Sequence, residues 1–407
     1  MSKRVEVKDL EIGMFVSELD RSWLESPFLF QGFMIENEDD LGKLQECCDY
    51  VMVDQQRSQP VASRFTRRTA LRDGASITVT STEPASTAPG RFEMAYASTH
   101  AARSETSQGV IKLLDDRRLG RMIAADVIRH SVNNLMRSVL ADPSAALWLT
   151  RMRGEDEFSA AHSLNVATLS LAFARHLELP ESQLHAIGMG ALLHDIGLTE
   201  KAAPITRQRE PLTPEDFVTL RKHPADGLYS IRDAAHLDPV IRDIIRWHHE
   251  RVDGSGYPDG LSGTQIPQYV RIVAIADTYD AMVSDSAFRR GIPPGEALIE
   301  IHRLADTTFG KQTVQAFIQC IGVYPPASVV ELNTGAIGVV VASNESARLL
   351  PLLLMLRDEQ GKHVLPGKFV DLSSVERKTG NRWHIVKFAD PSTHGIDISG
   401  LTLPGLA

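Results

Sequence analysis

"HHERVDGSGYPDG", residues 248–260, sets two histidines and a glutamate against a glycine-rich turn that carries one tyrosine and one proline. Imidazoles and a carboxylate at the lip of such a turn need a chemical reason. The preceding "VIRDIIRW" places Val240, Ile244, Ile245 and Trp247 at helical spacing, so the pair stands at the end of an amphipathic helix. Upstream, "LHAIGMGALLHDIGL" reads as a near-continuous apolar helix that ends in His194-Asp195, where Gly197 lets the chain leave the helix. His162 opens "HSLNVATLSLAFARHL", with Val166, Leu169 and Phe173 following on a core-facing stripe. His223 lies in "RKHPADG" before a proline, and Asp277 ends "RIVAIAD", which runs on as "TYDAM".

Each of these residues alone has an ordinary reading: a hydrogen-bonded core histidine, a chance dipeptide, a capping aspartate. The set changes the reading. Five histidines and two aspartates stand in helical segments beside apolar stripes, where an uncompensated charge is costly to bury. A divalent cation cluster satisfies them together. Seven ligands exceed one tetrahedral site and suit two metals bridged by a carboxylate. Imidazole nitrogen and carboxylate oxygen without thiolate suit Fe, Mn, Zn or Ni. Glycines in the turn let backbone approach a ligand closely, and Tyr257 offers a ring and a hydroxyl beside it. Glu250 and Asp253 read either as partners that orient imidazoles or as helix-end surface residues.

His194-Asp195, "HHERVDGSGYP" at 248–258 and "RIVAIADTYDAM" at 271–282 together resemble the HD-GYP phosphodiesterases, a branch of the HD-domain metal hydrolases that cleaves the bacterial messenger cyclic di-GMP. The resemblance covers roughly residues 125–325. It implies that His162, His194, Asp195 and Asp277 hold one metal, that Asp195 bridges, and that His223, His248 and His249 hold the second. His194, Asp195 and Tyr257 are then the catalytic candidates. Gly256, Tyr257, Pro258, Asp280, Arg289 and Arg290 are the candidates for substrate contact. Some members recruit a third metal through a glutamate at the position of Phe158. Here Glu157 is one residue off, about 100° of helix rotation, so two metals are expected. The stretch "GMFVSELDRSWLESPFLFQGF" is similar to a domain of unknown function that often precedes this catalytic domain.

Two departures bear on the rate. Relatives carry a lysine where this chain has Leu198, and an arginine where "DSAFRR", residues 285–290, has Ser286. The leading expectation is a metal-dependent phosphodiesterase that converts cyclic di-GMP to linear pGpG, GMP or both. The alternative is a slow-turnover sensor or adaptor that uses the same pocket. A diguanylate cyclase with a GGDEF domain is the expected signalling partner. The oligomeric state stays open.

The remaining chain frames this centre. The fold expected is multidomain: a mainly α-helical HD-type catalytic domain, preceded by a small α+β domain and followed by a small β-rich tail. Residues 1–56 form the first, from strand-like "RVEVKDL" and "YVMVD" around the helical "ENEDDLGKLQECC". Residues 57–106, with "SITVTSTEPASTAPGR", read as a Ser/Thr/Pro-rich linker or excursion. Residues 107–323 are the helical domain, and 324–407 the β-rich segment, with "SVVELNTGAIGVVVA" and "RWHIVKFAD". Of 407 residues, 43% are hydrophobic and 23% charged, as in ordinary globular proteins. The net charge of −9 argues against a nucleic-acid or anionic-membrane partner. No run reaches the ~18 apolar residues of a membrane helix. The three cysteines, in no zinc spacing, fit a reducing compartment, and the cytoplasm is expected.

Overall fold

The computed structural model describes residues 2–20, 33–35, 41–42, 44–45, 48–54, 88–118, 125–152, 158–198, 202, 204–208, 213–232, 237–285, 290–344, 347–379, 383–398 and 401. They fall into two units, Met1–Pro84 and Ala85–Ala407. The first holds an antiparallel sheet of β1 (Ser2–Glu6), β2 (Phe15–Leu19), β3 (Phe33–Met34) and β4 (Tyr50–Asp54), in the order β1-β4-β2-β3. Val51 and Val53 of β4 point the same way and are buried with Val16, Ile35 and Leu44. Residues 55–87, most of the expected linker, lie outside the described residues.

The second unit begins with a helix that the sequence reading missed. Residues 88–106, assigned above to the linker, are the first part of α1 (Ala88–Arg118). The reason is packing: Phe92 is 2% exposed, Trp148 0%, and their rings meet edge to face at 6.3 Å. The helices that follow are α2 (Ala125–Ala141), α3 (Pro143–Leu149), α4 (Phe158–His176), α5 (Glu181–Leu193), α6 (Pro214–Leu220), α7 (His223–Ser230), α8 (Pro239–Trp247), α9 (Gln268–Val283), α10 (Pro294–Arg303) and α11 (Lys311–Ile321). Helix α5 packs against α2, α4 and α8. A Cβ on its Gly190 would stand 2.5 Å from Ile244 Cδ1 of α8, and one on Gly188 2.9 Å from Val132 Cγ1 of α2. These glycines let three helices close on one axis.

The β-rich segment is a five-stranded antiparallel sheet, in the order β8-β7-β6-β5-β9. Its strands are β5 (Val329–Leu332), β6 (Ile337–Ala342), β7 (Leu352–Arg357), β8 (His363–Asp371) and β9 (Ile385–Phe388), with α12 (Leu372–Thr379) between the last two. "IGVVVA" is apolar on both faces because both are covered. Val339 and Val341 pack with Phe92 and Trp148, while Val340 packs with Val330, Leu353 and Leu372. The segment expected as a tail therefore shares a core with α1 and α3. Burying Phe92 alone contributes about 1.5–3 kcal/mol.

Candidate metal centre

Three helix ends and two helix interiors bring the predicted residues together. His162 lies in α4 and Asp277 in α9, His194 and Asp195 follow α5, His223 opens α7, and His248 and His249 follow α8. Two groups of ligand atoms result, each with its atoms within 4.8 Å of one another: His162, His194 and Asp195, and Asp195, His223, His248 and His249. Asp195 belongs to both. Its Oδ2 lies 3.4 Å from His194 Nε2, while Oδ1 lies 3.2 Å from His223 Nε2 and 3.8 Å from His248 Nε2. Asp277 Oδ1 stands 3.2 Å from His162 Nε2 and 3.9 Å from His194 Nε2, so it joins the first group.

Gly197 explains how α7 comes so near. A Cβ there would sit 1.9 Å from His223 O and 2.4 Å from Gly227 N. The expected role of Gly197 was to let the chain leave the helix. Its structural role is to let the 194–197 turn lie against the backbone of α7.

The imidazoles are fixed by what their Nδ1 atoms meet. His194 Nδ1 lies 2.7 Å from Ala191 O, His223 Nδ1 2.7 Å from Leu220 O, and His248 Nδ1 3.0 Å from Ile244 O. A carbonyl only accepts, so each Nδ1 carries the proton and each Nε2 of a neutral ring holds a lone pair. Those lone pairs face one another: His223 Nε2 and His248 Nε2 are 3.1 Å apart. His194 Nε2 is buried and has no hydrogen-bond partner. Converging lone pairs and an orphaned buried nitrogen are what a cation between them would satisfy, so the residues fit a metal cluster.

Charge follows the same pattern. Burial pushes His248 and His249 below the usual histidine range, so both stay neutral. Burial alone would raise Asp195, but His194, His223 and His248 outweigh it and hold the carboxyl well below its ordinary value. Asp277 is lowered in the same way, burial opposed by His162 and His194. His162 differs: burial lowers it, and Asp277 and Asp280 together lift it well above its ordinary value.

Asp280 requires a correction. Expected at the substrate, it is 1% exposed and stands behind His162, with Oδ2 at 2.8 Å from His162 Nδ1. Its Oδ1 accepts from Asn165 Nδ2 at 2.9 Å. Asn165 was missed, although it follows His162 by three residues on the same helix, as Asp280 follows Asp277.

The turn that opened the sequence reading is organised by Glu250. Its buried carboxylate accepts from Asp259 N at 2.7 Å, Gly260 N at 3.1 Å and Leu261 N at 2.9 Å. Neither expected role, orienting imidazoles or standing at the surface, describes it: Glu250 holds the returning arm of the loop. Asp253 folds the tip, accepting from Ser255 N and Oγ. Gly256 passes so close to the chain that a Cβ would meet Glu250 Cα and Arg251 N at 2.5 Å each. The Tyr257 ring stacks on His249 at 4.7 Å between centroids, with the Arg221 guanidinium carbon 5.3 Å from its own centroid. Burial, then the charges of Asp195 and Asp277, push the Tyr257 phenol up, so it remains a neutral donor. Pro258 and Arg290 are exposed, and Leu198 is half-buried. Arg289 and Ser286 lie outside the described residues, as does Glu157.

Comparison with known proteins agrees with this arrangement. The HD domain family matches residues 122–313, the domain of unknown function DUF3391 matches 2–142, and a KOW domain associated with HD domains matches 329–392. A cyclic di-GMP phosphodiesterase of Pseudomonas aeruginosa is 34% identical over 378 residues, 91% of this chain and 89% of the relative. A cyclic di-GMP phosphodiesterase of Borreliella burgdorferi is 31% identical over 192 residues, 47% of this chain and 50% of that one. A 3'3'-cGAMP-specific phosphodiesterase of Vibrio cholerae is 28% identical over 191 residues, 47% of this chain and 44% of its own. Among the described residues no helix is long and apolar enough to cross a membrane.

Proposed function

We propose that this chain, which belongs to the HD-GYP family of HD-domain hydrolases, is a metal-dependent phosphodiesterase that opens cyclic di-GMP to linear pGpG, GMP or both. The observation that carries the reading is the shared carboxylate: Asp195 turns one oxygen toward His194 and the other toward His223 and His248. Two divalent cations in such a cluster supply charge neutralisation at a phosphoryl group and lower the pKa of water. The chain's own part is to hold and orient. His162, His194 and Asp277 form one side, His223, His248 and His249 the other, and the Nδ1 contacts keep the Nε2 lone pairs of His194, His223 and His248 turned inward. Tyr257, a neutral phenol stacked on His249, is placed to donate a hydrogen bond to a substrate at the cluster. Gly256 supports the same loop, and Pro258 continues it into solvent. Arg289 and Arg290 remain proposed contacts for the phosphate that is not being cleaved.

An all-nitrogen-and-oxygen donor set favours Fe or Mn, with Ni, Zn or Co as the other fits. The three cysteines stand in no zinc or disulfide-framework spacing, which suits the reducing cytoplasm as the place of work. The enzyme class that must supply the substrate is a GGDEF diguanylate cyclase. A second reading, a sensor that binds and turns over slowly, is favoured by one observation: Leu198, next to the cluster in sequence, offers no cation to a phosphate.

The test is direct. Chain purified without oxygen is analysed for metal, then incubated with cyclic di-GMP and 3'3'-cGAMP, and the products are separated by chromatography. Multiple turnover of cyclic di-GMP with about two metals per chain is expected. Binding without turnover selects the sensor, and turnover of 3'3'-cGAMP alone replaces the substrate. Neither binding nor turnover by metal-loaded chain overturns both readings.

A further inference from the structure

Behind His162 runs a chain of polar contacts that ends outside the helices that carry the cluster. His162 Nδ1 meets Asp280 Oδ2 at 2.8 Å, and Asp280 Oδ1 accepts from Asn165 Nδ2 at 2.9 Å. Asn165 Nδ2 also donates to Thr150 O at 3.1 Å, and Asn165 Oδ1 accepts from Arg103 Nη2 at 2.7 Å. Asn165 is 5% exposed and Asp280 1%, so the middle of this path is buried. Arg103 comes from α1, which contributes no residue to the cluster.

The direction of every bond in this chain follows from its far end. A guanidinium has donors and no acceptor. It therefore fixes the oxygen of the Asn165 amide toward itself and the NH2 toward Asp280. An asparagine amide has two ends of nearly the same shape, so its partners decide which way it faces: Thr150 O and Asp280 take the NH2, and Arg103 takes the oxygen. Turned over, it would set Oδ1 against the Asp280 carboxylate, two acceptors with no proton between them inside the protein. With the amide held, Asp280 receives from Asn165 on one oxygen and keeps the other for the His162 Nδ1 proton. The His162 Nε2 lone pair is then left for the cluster.

We propose that Arg103 is a positioning residue for the metal centre: through Asn165 and Asp280 it sets the tautomer and ring orientation of His162 from helix α1. The inference rests on the reading of His162 as a metal ligand. The same contacts make cation affinity at the His162 side depend on where α1 sits, because a shift that breaks the Arg103–Asn165 bond takes the charged donor from the amide oxygen and loosens the hold on the amide. The other side has no such dependence on α1, since His223 is held by the Leu220 carbonyl at the end of α6 and His248 by the Ile244 carbonyl of α8.

The experiment measures cation binding. The parent, Arg103→Met, Arg103→Lys and Asn165→Asp are prepared metal-free and titrated with Mn, bound metal being read by elemental analysis and by EPR. Folding is checked by circular dichroism. Arg103→Met is expected to weaken one of the two sites by about tenfold to a hundredfold, the range for losing an outer partner of a ligand, and to leave the other unchanged. Arg103→Lys keeps a donor-only cation and is expected to restore most of the affinity. Asn165→Asp, which places a second carboxylate against Asp280, is expected to lose the same site. If Arg103→Met does not fold, the split between Arg103→Lys and Asn165→Asp decides. Two sites of parent affinity in Arg103→Met, or in Asn165→Asp, overturn the proposal. A parent chain that binds no pair of cations overturns the metal reading itself.

Discussion

The two sides of the cluster are held by different means. His223 and His248 hydrogen-bond to carbonyls three and four residues back in the chain, Leu220 at the end of α6 and Ile244 in α8, at 2.7 and 3.0 Å, so backbone that forms correctly nearby has already aimed each ring. His162 borrows its orientation from Asp280 on α9, which borrows from Asn165, which borrows from Arg103 on α1. The first arrangement is local and costs little to specify. It depends instead on helix ends meeting, which Gly197 permits. The second depends on side chains from three separate helices being in place together. A ligand held locally tolerates movement of distant helices, and a ligand held by a relay reports it.

Three substitutions can break or sharpen that comparison. Asp195→Ala removes the carboxylate that both sides share. Hydrolysis of cyclic di-GMP should fall by more than about a hundredfold, beyond the loss from an outer partner, and both cations should leave together. One cation kept at full occupancy, with turnover preserved, would show that the two sides do not share Asp195. Gly197→Ala attacks the locally held side. The new Cβ would lie 1.9 Å from His223 O, so α7 has to retreat and carry His223 with it. Occupancy of that side should fall about tenfold to a hundredfold, with about 1–3 kcal/mol of stability lost to overpacking in a thermal melt. Unchanged occupancy would mean that the turn yields and the helix does not.

Tyr257→Phe should have the smallest effect and touch neither side's metal. Removing one hydroxyl costs about 0.5–1.5 kcal/mol, roughly two- to tenfold in kcat/KM. The sign of its pH behaviour follows from the raised phenol. Burial and two carboxylates disfavour the phenolate, so the group stays protonated across neutral and alkaline solution and acts only as a donor. Parent and variant pH–rate profiles should therefore run parallel up to about pH 10. An alkaline limb that vanished in the variant would assign Tyr257 a proton to lose.

Much of the site could be read from the sequence because its residues stand where charge is conspicuous. His194 and Asp195 end a helix with hardly a polar residue in its last three turns, and His248 and His249 end one with three buried isoleucines. What stayed hidden has physical causes. Glu250 looked like a neighbour of histidines, but its partners are backbone amides, which have no sequence signature. Asp280 looked like a substrate contact because only the register of α9 against α4 tells which carboxylate faces His162 Nε2 and which stands behind it at Nδ1. The first part of α1, residues 88–106, was taken for linker because the helix's inward face mixes types. Phe92, Thr99, Arg103, Thr106, Val110 and Leu113 keep helical spacing, yet half of them are polar, and an apolar periodicity cannot be seen there.

The contact between Phe92 and the C-terminal sheet also bears on synthesis. Phe92 packs with Val339 and Leu354, which leave the ribosome about 250 residues later. At ~5–20 residues per second, the aromatic face of α1 waits on the order of ten to fifty seconds for its covering. Late in that interval the nascent chain already contains every histidine of the cluster, while the Phe92 end of the helix that carries Arg103 still lacks its covering. Cation capture at the His162 side should thus trail translation of residue 354, and a ribosome stalled before residue 329 would display a polypeptide with all the metal-ligand residues in hand and an uncovered aromatic surface for chaperones to find.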